Sequence, residues 1–173
     1  IMCQWLKHLG ATVIGTVGDK AKGELARKHG ADHIVYYREE DFAEEVLKAT
    51  GGRGVDVILD VIGADYWDRN MKALAQKGRM ILVGLMGGNS TNANIGVLLQ
   101  KRASVRGTTL RARPIEEKGM ATRAFEKSVL PHIASGRIKV VVDRVYPLAD
   151  AAAAQEYMAA NQNFGKVVLR VGE

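Results

Sequence analysis

The sequence predicts an α/β protein built on a doubly wound parallel sheet, and three features carry that expectation. Hydrophobic periodicity switches repeatedly between about 3.6 and about 2 residues. Glycines stand where the helical stretches should stop. The strand candidates are separated by helices of about ten residues, the spacing that right-handed βαβ crossovers use. A first helix is expected to end at Gly10, followed by the strand "ATVIGTV". A second helix over about residues 20–29 closes at Gly30 before the strand "HIVYY". Residues 41–50 form a third, capped by Asp41, with Glu44 in the capping-box position and Gly51 and Gly52 as stops. "VDVILDVIG" is nearly continuous in apolar residues, as a strand buried on both faces should be. A helix over about residues 66–76 leads to "GRMILVGLMGG", and one over about 95–101 leads to "ASVRGTTL".

The alternation stops near Leu110, so a boundary is expected at residue 112. Residues 113–173 read as one long helix over about 116–135, the strand "VDRVYPL", an Ala-rich helix opening at Asp150 and the strand "GKVVLRV". Some 60 residues are too few for an independent α/β core, so this stretch reads as an α+β tail returning to another domain.

Composition narrows the function classes. The 173 residues are 47% hydrophobic and 25% charged, within the range of a globular unit. No apolar stretch reaches the roughly 18 residues that span a bilayer. Gln4, Lys7 and His8 interrupt the opening helix, so it is not read as a signal peptide and the chain reads as cytoplasmic. Cys3 is the only cysteine, which excludes an intrachain disulfide and a cysteine zinc cluster and reads as a small buried thiol. The net charge of +6 is spread through "KAKGELARK" and "REEDFAEEVLK" among acids, and no aromatics alternate with Lys or Arg. Nucleic acid is therefore not the expected partner. The four histidines show no ligand spacing, and no metal site is expected.

In a doubly wound sheet, ligands bind beyond the carboxyl ends of the strands. After "ATVIG" come Thr16, Val17, Gly18, Asp19, Lys20, Ala21 and Lys22. An NAD-preferring site ends this strand in an acid that bonds the ribose hydroxyls. Val17 stands there, and Lys20 and Lys22 follow, leaving room and positive charge for a phosphate. Asp19 is read as the helix cap.

"HLGATVIGTVGDKAKGELARKHGADHIVYYREEDFAEEVLKATGGRGVDVILDVIG" closely resembles the zinc-independent quinone oxidoreductases of the medium-chain dehydrogenase/reductase superfamily, and "LPHIASGRIKVVVDRVYPLADAAAAQEYMAANQNFGKVVLRV" resembles the end of the same family's chain. The resemblance implies a Rossmann-type cofactor domain inserted into a GroES-like catalytic domain, NADPH as cofactor, and reduction of quinones or related conjugated carbonyls. By position it assigns Lys22 and Tyr37 to the adenosine 2′-phosphate, with Gly18 at the turn that lets the phosphate approach. Val61, Ile62 and Gly63 fall beside the adenosine and nicotinamide ribose. Val83, Gly84, Leu85 and Met86 lie along the nicotinamide. Thr108, Thr109 and Leu110 meet its carboxamide through the backbone, and Asn161 reaches back to the cofactor. No catalytic residue is assigned. The resemblance also implies a homodimer through the edge strand at 103–110. It makes "IMCQWLKHLG" the remainder of the first Rossmann helix, with the first strand and Gly-rich turn outside these residues, so that this chain alone is expected to bind NADPH poorly. An enoyl or alkenal reductase of the same superfamily, and a non-catalytic nucleotide-binding module, are the alternative readings.

Overall fold

Helices and strands alternate from the first residues of the computed structural model, which describes residues 1–172. The first run is α1 (Met2–His8), β1 (Ile14–Val17), α2 (Lys20–Lys28), β2 (His33–Tyr36) and α3 (Phe42–Ala49). The second is β3 (Val55–Asp60), α4 (Trp67–Ala73), β4 (Leu74–Leu82), α5 (Gly96–Lys101) and β5 (Ser104–Gly107). The last contains α6 (Ile115–Ser128), α7 (Leu130–Ala134), β6 (Val142–Pro147), α8 (Ala151–Ala159) and β7 (Lys166–Arg170). The expected caps hold. Asp19 accepts the Lys22 amide at 2.8 Å, and Asp41 accepts those of Ala43 and Glu44.

Every strand pairing is parallel, but the ladder falls into three pieces, β1-β2, β3-β4-β5 and β6-β7. β1 pairs only with β2 and β3 only with β4. No backbone ladder joins β1 to β3, the place where the resemblance puts a central strand. Side chains join the first two pieces instead. Val35 of β2, Phe42, Ala43 and Val46 of α3 and Ala73 of α4 form a buried cluster that packs against Ile14 of β1 and Val55 and Ile58 of β3. A second cluster of Met71, Leu74 and Met80 fastens α4 and α5 to one face of β3-β4-β5.

Five expectations need correction. β3 is buried on one face only: Ile58 packs inward, while Val57 and Leu59 remain 49% and 45% exposed, with no helix among the described residues covering them. The helix expected over 66–76 is α helix only to Ala73, where Leu74 turns extended and the Lys101 ammonium takes the carbonyls of Met71, Lys72 and Leu74. The long helix over 116–135 divides at Val129, because Pro131 lacks the amide that would continue it and starts α7 instead. Glu44 does not close a capping box; its carboxylate pairs with Lys72 on α4. Cys3 is half-buried rather than buried.

The accessible surface is 11661 Å². A compact chain of 18.8 kDa would expose about 8,300 Å², so much apolar surface, Val142, Val145 and Leu169 of β6-β7 included, lacks a partner within the chain.

Candidate functional site

The parallel pairing decides where the candidate residues go. Val17 and Tyr36 are partners at the carboxyl ends of β1 and β2, and the Tyr37 amide donates to the Val17 carbonyl at 3.2 Å. Gly18 and Tyr37 therefore leave their strands side by side. A Cβ at Gly18 would stand 3.0 Å from the Tyr37 hydroxyl and 3.5 Å from Arg38 Nε, so the missing side chain lets the tyrosine and the arginine close against this backbone corner. Asp19 spends its carboxylate on the helix, which keeps its charge turned toward backbone amides. Lys22 reaches across the fold. Its Nζ donates to the Asn161 carbonyl at 2.5 Å and to Asn161 Oδ1 at 2.8 Å, a contact between residues 139 apart in sequence. Asn161 follows α8 at φ +53, a left-handed corner that Asn tolerates. It serves both as the helix stop and as the partner of Lys22.

The other candidates gather at the ends of β3, β4 and β5. Asp60 ends β3, is 4% exposed, and accepts from the amides of Ile62 at 2.8 Å and Gly63 at 3.0 Å and from Asn70 Nδ2 at 3.1 Å. Three donors around one buried carboxylate fold the turn at 61–63 back on itself. That turn is then zipped to the loop after β4. Met86 N donates to Val61 O, Gly87 N to Ile62 O, Ala64 N to Gly88 O and Asp65 N to Gly87 O, all at 2.8 to 3.2 Å. The approach is close enough that a Cβ at Gly63 would lie 2.7 Å from the Gly88 carbonyl, and one at Gly84 would lie 2.8 Å from the Val61 carbonyl. Val61, Val83, Leu85 and Met86 project from this pair of loops and are exposed, Met86 at 83%. They form an apolar floor with a backbone frame.

Beyond β5, the Thr108 amide donates to the Leu82 carbonyl, and Arg113 holds the segment by donating to Thr109 O at 2.7 Å and Thr108 Oγ1 at 2.6 Å. Leu110 is exposed. Tyr66 lies between the two groups of candidates. It packs on Phe42 with ring centroids 4.8 Å apart and under the Arg69 guanidinium at 4.6 Å, and burial raises the pKa of its hydroxyl.

The structure thus brings Gly18 to Tyr37, Lys22 to Asn161, the 61–63 turn to the 83–86 loop, and Thr108 to the end of β4. All stand at carboxyl strand ends or, for Asn161, against such an end. Asp60, Arg38 and Arg113 escaped the sequence reading. Asp60 was legible as the acid that closes an apolar strand in "VDVILDVIG", whereas Arg113 in "LRARP" gave no signal that it would pin Thr108.

A neutral strand end, a glycine corner against which a tyrosine and an arginine pack, and a nearby lysine suit an anionic nucleotide. The family model described as zinc-binding dehydrogenase matches residues 1–127. The chain belongs to this family. Its resemblance to the quinone oxidoreductases of the medium-chain dehydrogenase/reductase superfamily is borne out by the relatives. Over 175 residues it is 38% identical to quinone oxidoreductase 1 of Escherichia coli (strain K12), an alignment covering 98% of this chain and 52% of that protein. Over 173 residues it is 36% identical to 2-haloacrylate reductase of Burkholderia sp, covering 98% and 51%. Among solved structures it is similar to Escherichia coli quinone oxidoreductase complexed with NADPH, at a TM-score of 0.83 and 38% identity over 99% of this chain and 53% of that one. The chain spans about half the length of the curated relatives it matches. Despite the family's name, among the described residues no three of His, Cys, Asp and Glu converge as metal ligands, and no helix is long and apolar enough to cross a membrane.

Proposed function

We propose that this chain is the nucleotide-binding part of a cytoplasmic NADPH-dependent quinone oxidoreductase, with residues 1–112 forming the Rossmann-type unit and 113–173 returning to a catalytic domain. The observation that carries the reading is the meeting of Gly18 and Tyr37 at the neutral end of β1, with Lys22 one helical turn beyond. An acid at Val17 would repel a 2′-phosphate; a valine does not. In this reading Gly18, Lys22 and Tyr37 receive that phosphate. Val61, Ile62 and Gly63 border the riboses, and Asn161 reaches the cofactor from α8. Bound NADPH would supply a hydride from its nicotinamide ring. Val83, Gly84, Leu85 and Met86 give that ring an apolar, water-poor floor, and the backbone of Thr108, Thr109 and Leu110, steadied by Arg113, orients its carboxamide. The acceptor is a quinone or a similar conjugated carbonyl that stacks above the same floor. Assembly in this reading is a homodimer joined through β5, which lies at the edge of its sheet.

The 2-haloacrylate reductase relative favours a second reading, reduction of a conjugated acid or enoyl thioester. NADPH oxidation by the protein that carries this chain, assayed with simple quinones, with 2-haloacrylates and with enoyl thioesters, separates them. Binding of NADPH without turnover of any acceptor would instead favour a non-catalytic nucleotide-binding module.

A further inference from the structure

The sequence directs attention to Lys22 as the phosphate ligand, yet two of the three N–H groups of its ammonium are committed to Asn161. One donor remains for a phosphate that carries close to two negative charges, about −2 at neutral pH. Arg38 is placed differently. Its Nε lies 3.5 Å from the Cβ position of Gly18, against the same backbone corner as the Tyr37 hydroxyl at 3.0 Å. Among the described residues it makes no ion pair, whereas Arg53 and Arg113 both do. Glu39, its neighbour in sequence, makes no ion pair with it, and two further acids are engaged elsewhere. Asp19 caps α2, and Glu40 accepts the Tyr36 amide at 2.7 Å. Its guanidinium offers up to five donors in a fork that matches phosphate oxygens, which an ammonium does not.

We propose that Arg38 is a specificity-determining residue that carries more of the selection for a 2′-phosphate than Lys22, while Lys22 mainly clasps the Asn161 corner to α2. The proposal rests on the reading that this corner receives a 2′-phosphorylated adenosine. The clasp has a use of its own, because it holds the segment after α8 beside the site.

The test is calorimetric titration of the purified protein that carries this chain with adenosine 2′,5′-bisphosphate and with adenosine 5′-monophosphate, probes that need only the adenosine end of the site. Arg38→Gln should weaken bisphosphate binding by about tenfold or more, the scale of a lost charge-assisted contact, and change monophosphate binding by less than about twofold. Arg38→Lys should recover only part of the loss, and Lys22→Gln should cost less than Arg38→Gln. Circular dichroism of each variant reports that it is folded; Arg38 is exposed, so its removal opens no cavity. If the unaltered protein prefers the bisphosphate and Arg38→Gln keeps that preference, the proposal fails while the 2′-phosphate reading stands. If the unaltered protein binds the two probes equally, or binds neither, the reading fails and the proposal with it.

Discussion

Replacing Gly63 by Ala tests whether the backbone zipper between the 61–65 and 83–88 segments holds the site together. Gly63 sits at φ +86 and ψ −123, a region essentially reserved for glycine, and forcing Ala there costs about 1–3 kcal/mol. The new methyl would also meet the Gly88 carbonyl at 2.7 Å and Leu85 Cδ2 at 2.8 Å. Relieving that clash means parting the loops, which gives up the Ala64 to Gly88 hydrogen bond, worth about 1 kcal/mol. The expected loss is about 2–4 kcal/mol. With a urea slope of about 2 kcal/mol per M, the unfolding midpoint should fall by about 1–2 M. Gly136→Ala is the control: φ is +75, but nothing lies within 4 Å of its Cβ position, so only a conformational cost of about 1–2 kcal/mol applies. Urea titrations of the two variants, followed by far-ultraviolet circular dichroism, give the comparison. Equal losses would refute the steric part of the argument and show that the loops separate freely.

Asp60→Asn should destabilise the chain by about 1–3 kcal/mol, because the amide presents an N–H to a pocket that already holds three donors; urea midpoints measure it, and an unchanged midpoint would mean the turn at 61–63 is held by other groups. His132 packs at a tilt against His8 with ring centroids 4.2 Å apart and against Trp5 at 5.3 Å, and partial burial, His8 and Arg137 hold its pKa below the ordinary histidine value. A depressed histidine pKa contributes stability that is present above the unfolded value near 6.5 and is lost as pH falls from there through the lower folded value. The stability of the chain should therefore drop as pH falls below about 6.5, less so in His8→Gln, and parallel pH profiles for the two would refute the pairing. Light scattering of the protein that carries this chain should give a dimer's mass, and Val105→Lys on β5 a monomer's, if the edge strand makes the interface.

The βα order was legible because it is written locally. Apolar period, glycine stops and side-chain caps such as Asp41 act within a few residues, and the structure places α1 to α5 and β1 to β5 in the expected order. The departures come from long-range or competing contacts. α4 stops early because Lys101, some 27 residues on, takes its last carbonyls. Glu44 prefers Lys72 to its own helix cap. Pro131 was visible, but the apolar pattern through 116–135 ran across it and outweighed its missing amide. The exposed side of β3 could not be read from "VDVILD", since an apolar run states what wants cover and not whether the same chain supplies it. For the site, the resemblance located the strand-end segments, while the clasp between Lys22 and Asn161, the zipped loops and the buried Asp60 network emerged only in three dimensions.

The loops after β3 and β4 are bound to each other through main-chain atoms, and this separates two duties that most binding surfaces mix. The shape of the floor depends on Asp60 and on the glycines at 63, 84 and 87, whereas the chemistry it offers depends on Val61, Val83 and Met86, whose side chains face outward. Under the proposed function, a lineage, or an engineer, is free to rewrite those outward residues, for a bulkier, more polar or smaller acceptor, without touching the frame that holds them. Such a surface is a template with exchangeable inserts, and acceptor range should drift faster within it than the fold beneath.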